Sequence, residues 1–125
     1  MLLVCILLTA CTIEETSVDI TMTTWELIEM TGYDEISETV TLSFSDGRMS
    51  GNAACSRYAT EVELNGNTID PARVMRHTSN ICDTELMNFD YVYLNALRNV
   101  TEYKVNGDLL VLVSDAGELV YAPEE

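Results

Sequence analysis

The sequence predicts a mainly β fold of the α+β class, an antiparallel meander with one packed helix, and three observations lead there. From Trp25 onward, apolar and polar residues alternate with a period of two. Turn signals recur at short intervals, at Asp46-Gly47, Asn65-Gly66, Asn106-Gly107 and Asp115-Ala116-Gly117. Hairpin turns spaced this closely mark an antiparallel meander. Only between Asp83 and Val100 does the apolar spacing change to three and four, which is the period of a helix.

Each element follows from its own residues. Trp25 and Leu27 alternate with Thr24 and Glu26 and open the folded part. Val40, Leu42 and Phe44 alternate with Thr39, Thr41, Ser43 and Ser45, a half-buried strand. Asp46-Gly47 then favours a type I′ turn, whose two central residues both need positive φ. Arg48 to Gly51 is the return strand, and Tyr58, Thr60, Val62 and Leu64 form the next alternating run. Tyr103 and Val105, Leu109 to Val113, and Leu119 to Tyr121 supply the last strands. On the helix, Leu86, Phe89, Tyr93, Leu94, Leu97 and Val100 make one buried stripe. Asp83 or Thr84 can cap its start, and Glu85 suits the positive end of its dipole. The other face carries Asn88, Asp90, Asn95, Arg98 and Asn99, so the helix is expected to cover one opening or side of the sheet.

The chain has 125 residues, enough for one domain with a single core. Its 21 acidic residues against 6 basic ones give a net charge of -15, spread from Glu14 to Glu125. A diffuse field of that sign repels phosphate backbones and anionic headgroups, and the linear sequence has no Lys/Arg run to overcome it. Nucleic acid is excluded as a partner; a basic protein, a cation or a neutral ligand is not.

The first residues are a separate object. Met1 to Leu8 is an apolar run too short for a bilayer, which needs about 20 residues. It ends in Leu8-Thr9-Ala10-Cys11, which resembles the lipobox of bacterial lipoproteins, although the usual basic segment is missing. By that resemblance residues 1–10 are a signal peptide and Cys11 is the lipidated N-terminus of the mature protein. A soluble chain opening on an extra apolar strand is the alternative. Residues 11–23, rich in Thr and acidic groups, suit a flexible tether, which leaves 24–122 as the domain.

The most specific stretch is Gly47 to Tyr58, GRMSGNAACSRY, directly after an alternating strand. Cys82 follows in Thr78-Ser79-Asn80-Ile81-Cys82-Asp83. The first string resembles the signature of the META/HslJ domains, small bacterial envelope domains with a pattern close to G-R-x-S-G-N-x-G-C-N-x-Y. Cys82 stands where that family has a second Cys after a Thr-x-x-x-Cys run. The resemblance spans Thr24 to Ala122 and implies a small antiparallel β-barrel or strongly curved sheet with one helix packed on it. It also implies roles in envelope stress and secretion, with no established reaction. The chain departs from the pattern at Ala54, where Gly is usual, and at Ser56, where Asn is usual. Its segment from Ile69 to Cys82 is also two or three residues longer.

With Cys5 in the signal and Cys11 lipidated, the mature domain keeps Cys55 and Cys82. An even count in an exported chain favours a disulfide, which would close a loop of about 27 residues and stabilise by roughly 3 to 4 kcal/mol. Neighbouring reduced thiols and a redox pair are the alternatives, but the close Cys-x-x-Cys spacing of redox pairs is missing. His77, the only histidine, has no partner at metal-site spacing and reads as a solvent-facing strand residue, so no metal or cofactor is expected. No nucleophile elbow, phosphate loop or zincin motif occurs. Gly51 and Asn52 are expected at positive φ, and Arg48, Gly51, Asn52, Arg57 and Tyr58 together are the candidate recognition loop. The sequence thus leads to a non-enzymatic, membrane-anchored envelope lipoprotein, monomeric, that acts by binding or in envelope stress. Its expected partner is a basic envelope or foreign protein, and its lipid is its only membrane contact. The alternatives are an inhibitor of a basic hydrolase such as lysozyme and, last, a small enzyme.

Overall fold

A computed structural model describes residues 19–33, 35–78 and 80–124. The signal peptide, Cys11 and the tether as far as residue 18 lie outside the described residues. The strands are β1 (Trp25–Met30), β2 (Thr41–Ser45), β3 (Arg48–Asn52), β4 (Arg57–Asn65), β5 (Thr68–Pro71), β6 (Arg76–His77), β7 (Glu102–Asn106), β8 (Leu109–Ser114) and β9 (Gly117–Pro123). One helix, α1 (Thr84–Arg98), lies between β6 and β7.

The strands form one sheet in the order β3-β2-β1-β9-β8-β7-β5-β4-β6, and β3 pairs again with β4. The sheet therefore curls until its pairings close a ring, with β6 appended to β4. All pairings are antiparallel, and apart from the β9–β1 closure each ring neighbour is the next ring strand in the chain, the meander that the turn spacing predicts. The ring is thinnest at β5–β7, where one register pair, Thr68↔Glu102, is flanked by bonds from Ile69 N to Thr101 O and Tyr103 N to Asn67 O.

Inward-facing residues fill the ring, and α1 adds Phe89, Tyr93, Leu94 and Leu97 to the same core. In β1 the register shifts between Leu27 and Glu29, leaving Ile28 as an extra residue. This bulge restores Met30 to the buried face after Trp25 and Leu27, which strict alternation would have denied it. Asp46 and Gly47 take φ of 55° and 75°, as the type I′ turn requires. The later hairpins turn one residue beyond the expected Asn-Gly dipeptides: Asn65 and Asn106 end their strands, and the loops are Gly66-Asn67 and Gly107-Asp108.

Asp83 caps α1, accepting from Leu86 N at 3.0 Å. The structure departs from the sequence expectations at three points. Asp90, assigned to the polar face, is 6% exposed. Packing also begins before Thr24: Asp19 caps a 3₁₀ turn at Ile20–Met22, Ile20 is buried, and Trp25 Nε1 donates to its carbonyl at 3.0 Å. Gly51 and Asn52 sit in extended β3, not at positive φ. What Gly51 supplies is room, since a Cβ there would overlap the Thr41 carbonyl and press on the Tyr58 hydroxyl.

Candidate functional site

The signature loop, residues 53–56, turns between β3 and β4 and is closed by Ala53 N donating to Ser56 O at 2.7 Å. Its backbone amides point at one carboxylate. Asp90 of α1 accepts from Ala54 N at 2.7 Å, from Cys55 N at 3.1 and 3.0 Å, and from Ser56 N and Oγ at 2.8 Å each. A carboxylate has about four lone-pair sites, and these five contacts occupy them. Asp90 is thus an anchor holding the loop to the helix, and such charge-assisted bonds are the strong kind.

Two further ties hold the loop. Cys55 and Cys82 form a disulfide with Cα atoms 6.1 Å apart, linking it to the residue before the helix cap. Asn80 Nδ2 donates to Cys55 O at 2.8 Å, while Arg57 and Thr78 exchange bonds through Arg57 N to Thr78 Oγ1 and Thr78 N to Arg57 O. The two thiols are therefore oxidised and bonded to each other.

Below the loop, three tyrosine hydroxyls form a chain inside the core. Tyr58 of β4 donates to Thr41 O at 2.6 Å and lies 2.9 Å from the Tyr93 hydroxyl, which lies 2.9 Å from that of Tyr121. A carbonyl can only accept, so the proton order is fixed: Tyr121 donates to Tyr93, Tyr93 to Tyr58, and Tyr58 to Thr41. Every hydroxyl hydrogen is used, which is what burial of three phenols demands. Burial first, and then the charge of a second phenol in the chain, pushes all three well above the ordinary tyrosine value. They are neutral hydrogen-bonding groups and not acids or bases at physiological pH.

Between the loop, the segment from His77 to Asn80, and α1 runs an open groove of about 330 Å³. Met87, Tyr91 and Leu94 form its apolar wall, with Tyr91 73% exposed, and Arg98 stands at its far end. His77 is on the opposite wall, exposed on β6, its Nδ1 3.2 Å from Thr78 O. Among the described residues no group of three or more His, Cys, Asp or Glu is placed to hold a metal ion.

None of the candidate recognition residues lines this groove. Tyr58 is buried, and Gly51 abuts Thr41 and the Tyr58 hydroxyl. Asn52 and Arg57 are exposed and paired across β3–β4, while Arg48 lies at the far end of that pairing opposite Glu61. The groove instead takes its wall from α1, which the sequence reading left out of the site. A signal for Asp90 was present: it stands four residues after Leu86 and four before Leu94, on the helical stripe itself.

The META domain family model matches residues 18–125. Three solved structures share the fold. An NMR structure of a protein from Burkholderia xenovorans aligns at a TM-score of 0.64 and 19% identity, covering 94% of this chain and 99% of that one. A second NMR structure aligns at 0.67 and 18%, covering 82% and 90%. The crystal structure of a DUF4847 family protein from Bacteroides vulgatus aligns at 0.61 and 13%, covering 82% and 93%. No curated protein matches.

Proposed function

Since the chain belongs to the META domain family, we propose that it is a non-enzymatic protein of the bacterial cell envelope that works by binding and is held at the membrane through a lipid on Cys11. One observation carries the binding reading: the reactive side chains of the signature region are engaged in holding structure. Asp90 is filled by loop donors, Cys55 is bonded to Cys82, and the Tyr58 hydroxyl sits in a closed chain. What this leaves for solvent is a groove with an exposed aromatic wall, the kind of surface that anchors partners. The net charge of -15 favours a basic protein as that partner and would steer its approach.

The test is capture of envelope proteins by the full chain at rising salt, with Tyr91→Ala in parallel. A partner is expected to be retained at low salt, to fall away as the screening length drops below about 8 Å, and to bind about tenfold more weakly to Tyr91→Ala. In the same cells Cys11→Ser should move the protein out of the membrane fraction. A folded His77→Ala protein that still captures the partner yet erases the cellular effect would overturn the binding reading.

A further inference from the structure

The six basic residues are scattered in the sequence, but the fold does not leave them scattered. Arg48, Arg57 and Arg76 sit on β3, β4 and β6, with Arg73 in the short loop before β6, and all four are exposed. Register shows how they meet. Ser50 pairs with Ala59 and Ala59 with Arg76, while Arg48 pairs with Glu61 and Arg57 with Asn52. Tyr58 and Thr60 are buried, so Arg57, Ala59 and Glu61 face outward. Ala59, with only a methyl group, is thus ringed by Arg57 along its own strand, by Arg76 on one side, and by Arg48 diagonally on the other.

A pocket of about 330 Å³ opens over that methyl, with Arg48, Arg76 and Glu61 among its lining residues and Ala72 and Val74 as its apolar side. Neighbouring strands are about 4.8 Å apart and Arg48 is offset by two residues, about 6.8 Å, along its strand, so Arg48 and Arg76 start about 12 Å from each other across β4. Two guanidinium side chains are long enough to close on one group from that distance. We propose that this pocket is a binding site for a compact phosphate-type dianion, gripped by Arg48 and Arg76 with Arg57 at its edge.

The surroundings decide the size of the ligand. Glu61, Glu63 and Asp70 line the neighbouring β4–β5 surface, so the positive patch ends within one strand of its centre. Screening acts over about 8 Å at physiological salt, so a group seated in the pocket feels the arginines and Glu61 and little of Glu63 and Asp70. An extended polyanion crossing the same face would also meet the acidic border. Arg presents a planar fork of donors that matches phosphate oxygens two at a time, and that geometry suits a small multivalent oxyanion. Glu61 works against the site, and removing its charge should strengthen it.

Calorimetric titration of the full chain with inorganic phosphate at neutral pH tests this. Saturable binding is expected, weakened about tenfold by Arg48→Gln and again by Arg76→Gln. Glu61→Gln should tighten it and Lys104→Gln, on β7 outside the patch, should leave it unchanged. All four substitutions are on exposed side chains, and circular dichroism checks that folding is intact. Vesicles of phosphatidylcholine with phosphatidic acid, whose headgroup is a phosphate monoester and can carry two charges, separate the sources. Binding to them that inorganic phosphate displaces identifies a lipid headgroup, whereas phosphate binding without vesicle binding identifies a free phosphate or soluble monoester. No saturable phosphate binding, binding indifferent to Arg48→Gln and Arg76→Gln, or an aspartate-rich peptide that binds and that phosphate cannot displace would each overturn the site.

Discussion

Asp90 shows how one side chain can fix a loop. Three consecutive backbone N–H groups and a hydroxyl converge on it, and all are donors. Asp90→Asn keeps the shape but turns two hydrogens toward backbone N–H groups, which can only donate. Buried donors would then lose a charged acceptor, at a cost of about 3 kcal/mol. A lowered urea midpoint with unchanged slope is the expected result, and a midpoint equal to the parent's would show that the contacts contribute little. That a carboxylate sits here was half legible. Its position on the Leu86–Leu94 stripe marked it as inward, but residue type argues for solvent, and the rule of charged residues outside prevailed in the reading. What the sequence cannot display is the cluster of amides, 34 to 36 positions away in the chain, that makes burial of the charge tolerable.

The tyrosine chain joins a helix to two strands, and its consequence is alkaline instability. All three phenols have folded values raised above the unfolded one, so their neutral forms contribute stability that is fully present below about pH 10. That stability is lost as pH rises from the unfolded value toward the folded ones, at up to about 1.4 kcal/mol per pH unit for each phenol. Phenolate absorbance from Tyr58, Tyr93 and Tyr121 should therefore appear together with loss of near-ultraviolet dichroism. If these phenols ionised while the fold persisted, the chain would not be closed as described. The elements carrying it were readable because each has a strong period: Tyr58 lies in an inward strand register, and Tyr93 on the helical stripe. The elements that escaped notice have none. β5 is four residues long, and β6 is two residues, Arg76 and His77, both exposed, so neither offers enough apolar repetition to register.

At the scale of the molecule, closure of the ring brings β1 against β9. Trp25 pairs with Pro123, and Glu124 N donates to Thr24 O at 2.8 Å. The two ends of the folded region are therefore neighbours, and joining residue 124 to residue 19 with a linker of about six Gly/Ser residues spans the gap. A permuted chain opened between Gly66 and Asn67 is expected to fold with the Cys55–Cys82 bond formed and thermal stability close to the parent's. A permutant that stays unfolded would mean that the β4–β5 hairpin is needed to start assembly. The β1–β9 seam also has a mechanical consequence. Tension drawn between the two ends peels the seam from its Trp25–Pro123 end, breaking pairs one at a time, so little force is needed. Tension between the N-terminal end and a body held at the signature loop follows another route, through Trp25 and β2 into β3 and on to a covalent cross-link, and it strains several strand pairings at once. The domain would yield readily when pulled between its two ends and resist when pulled between its N-terminal end and the signature loop.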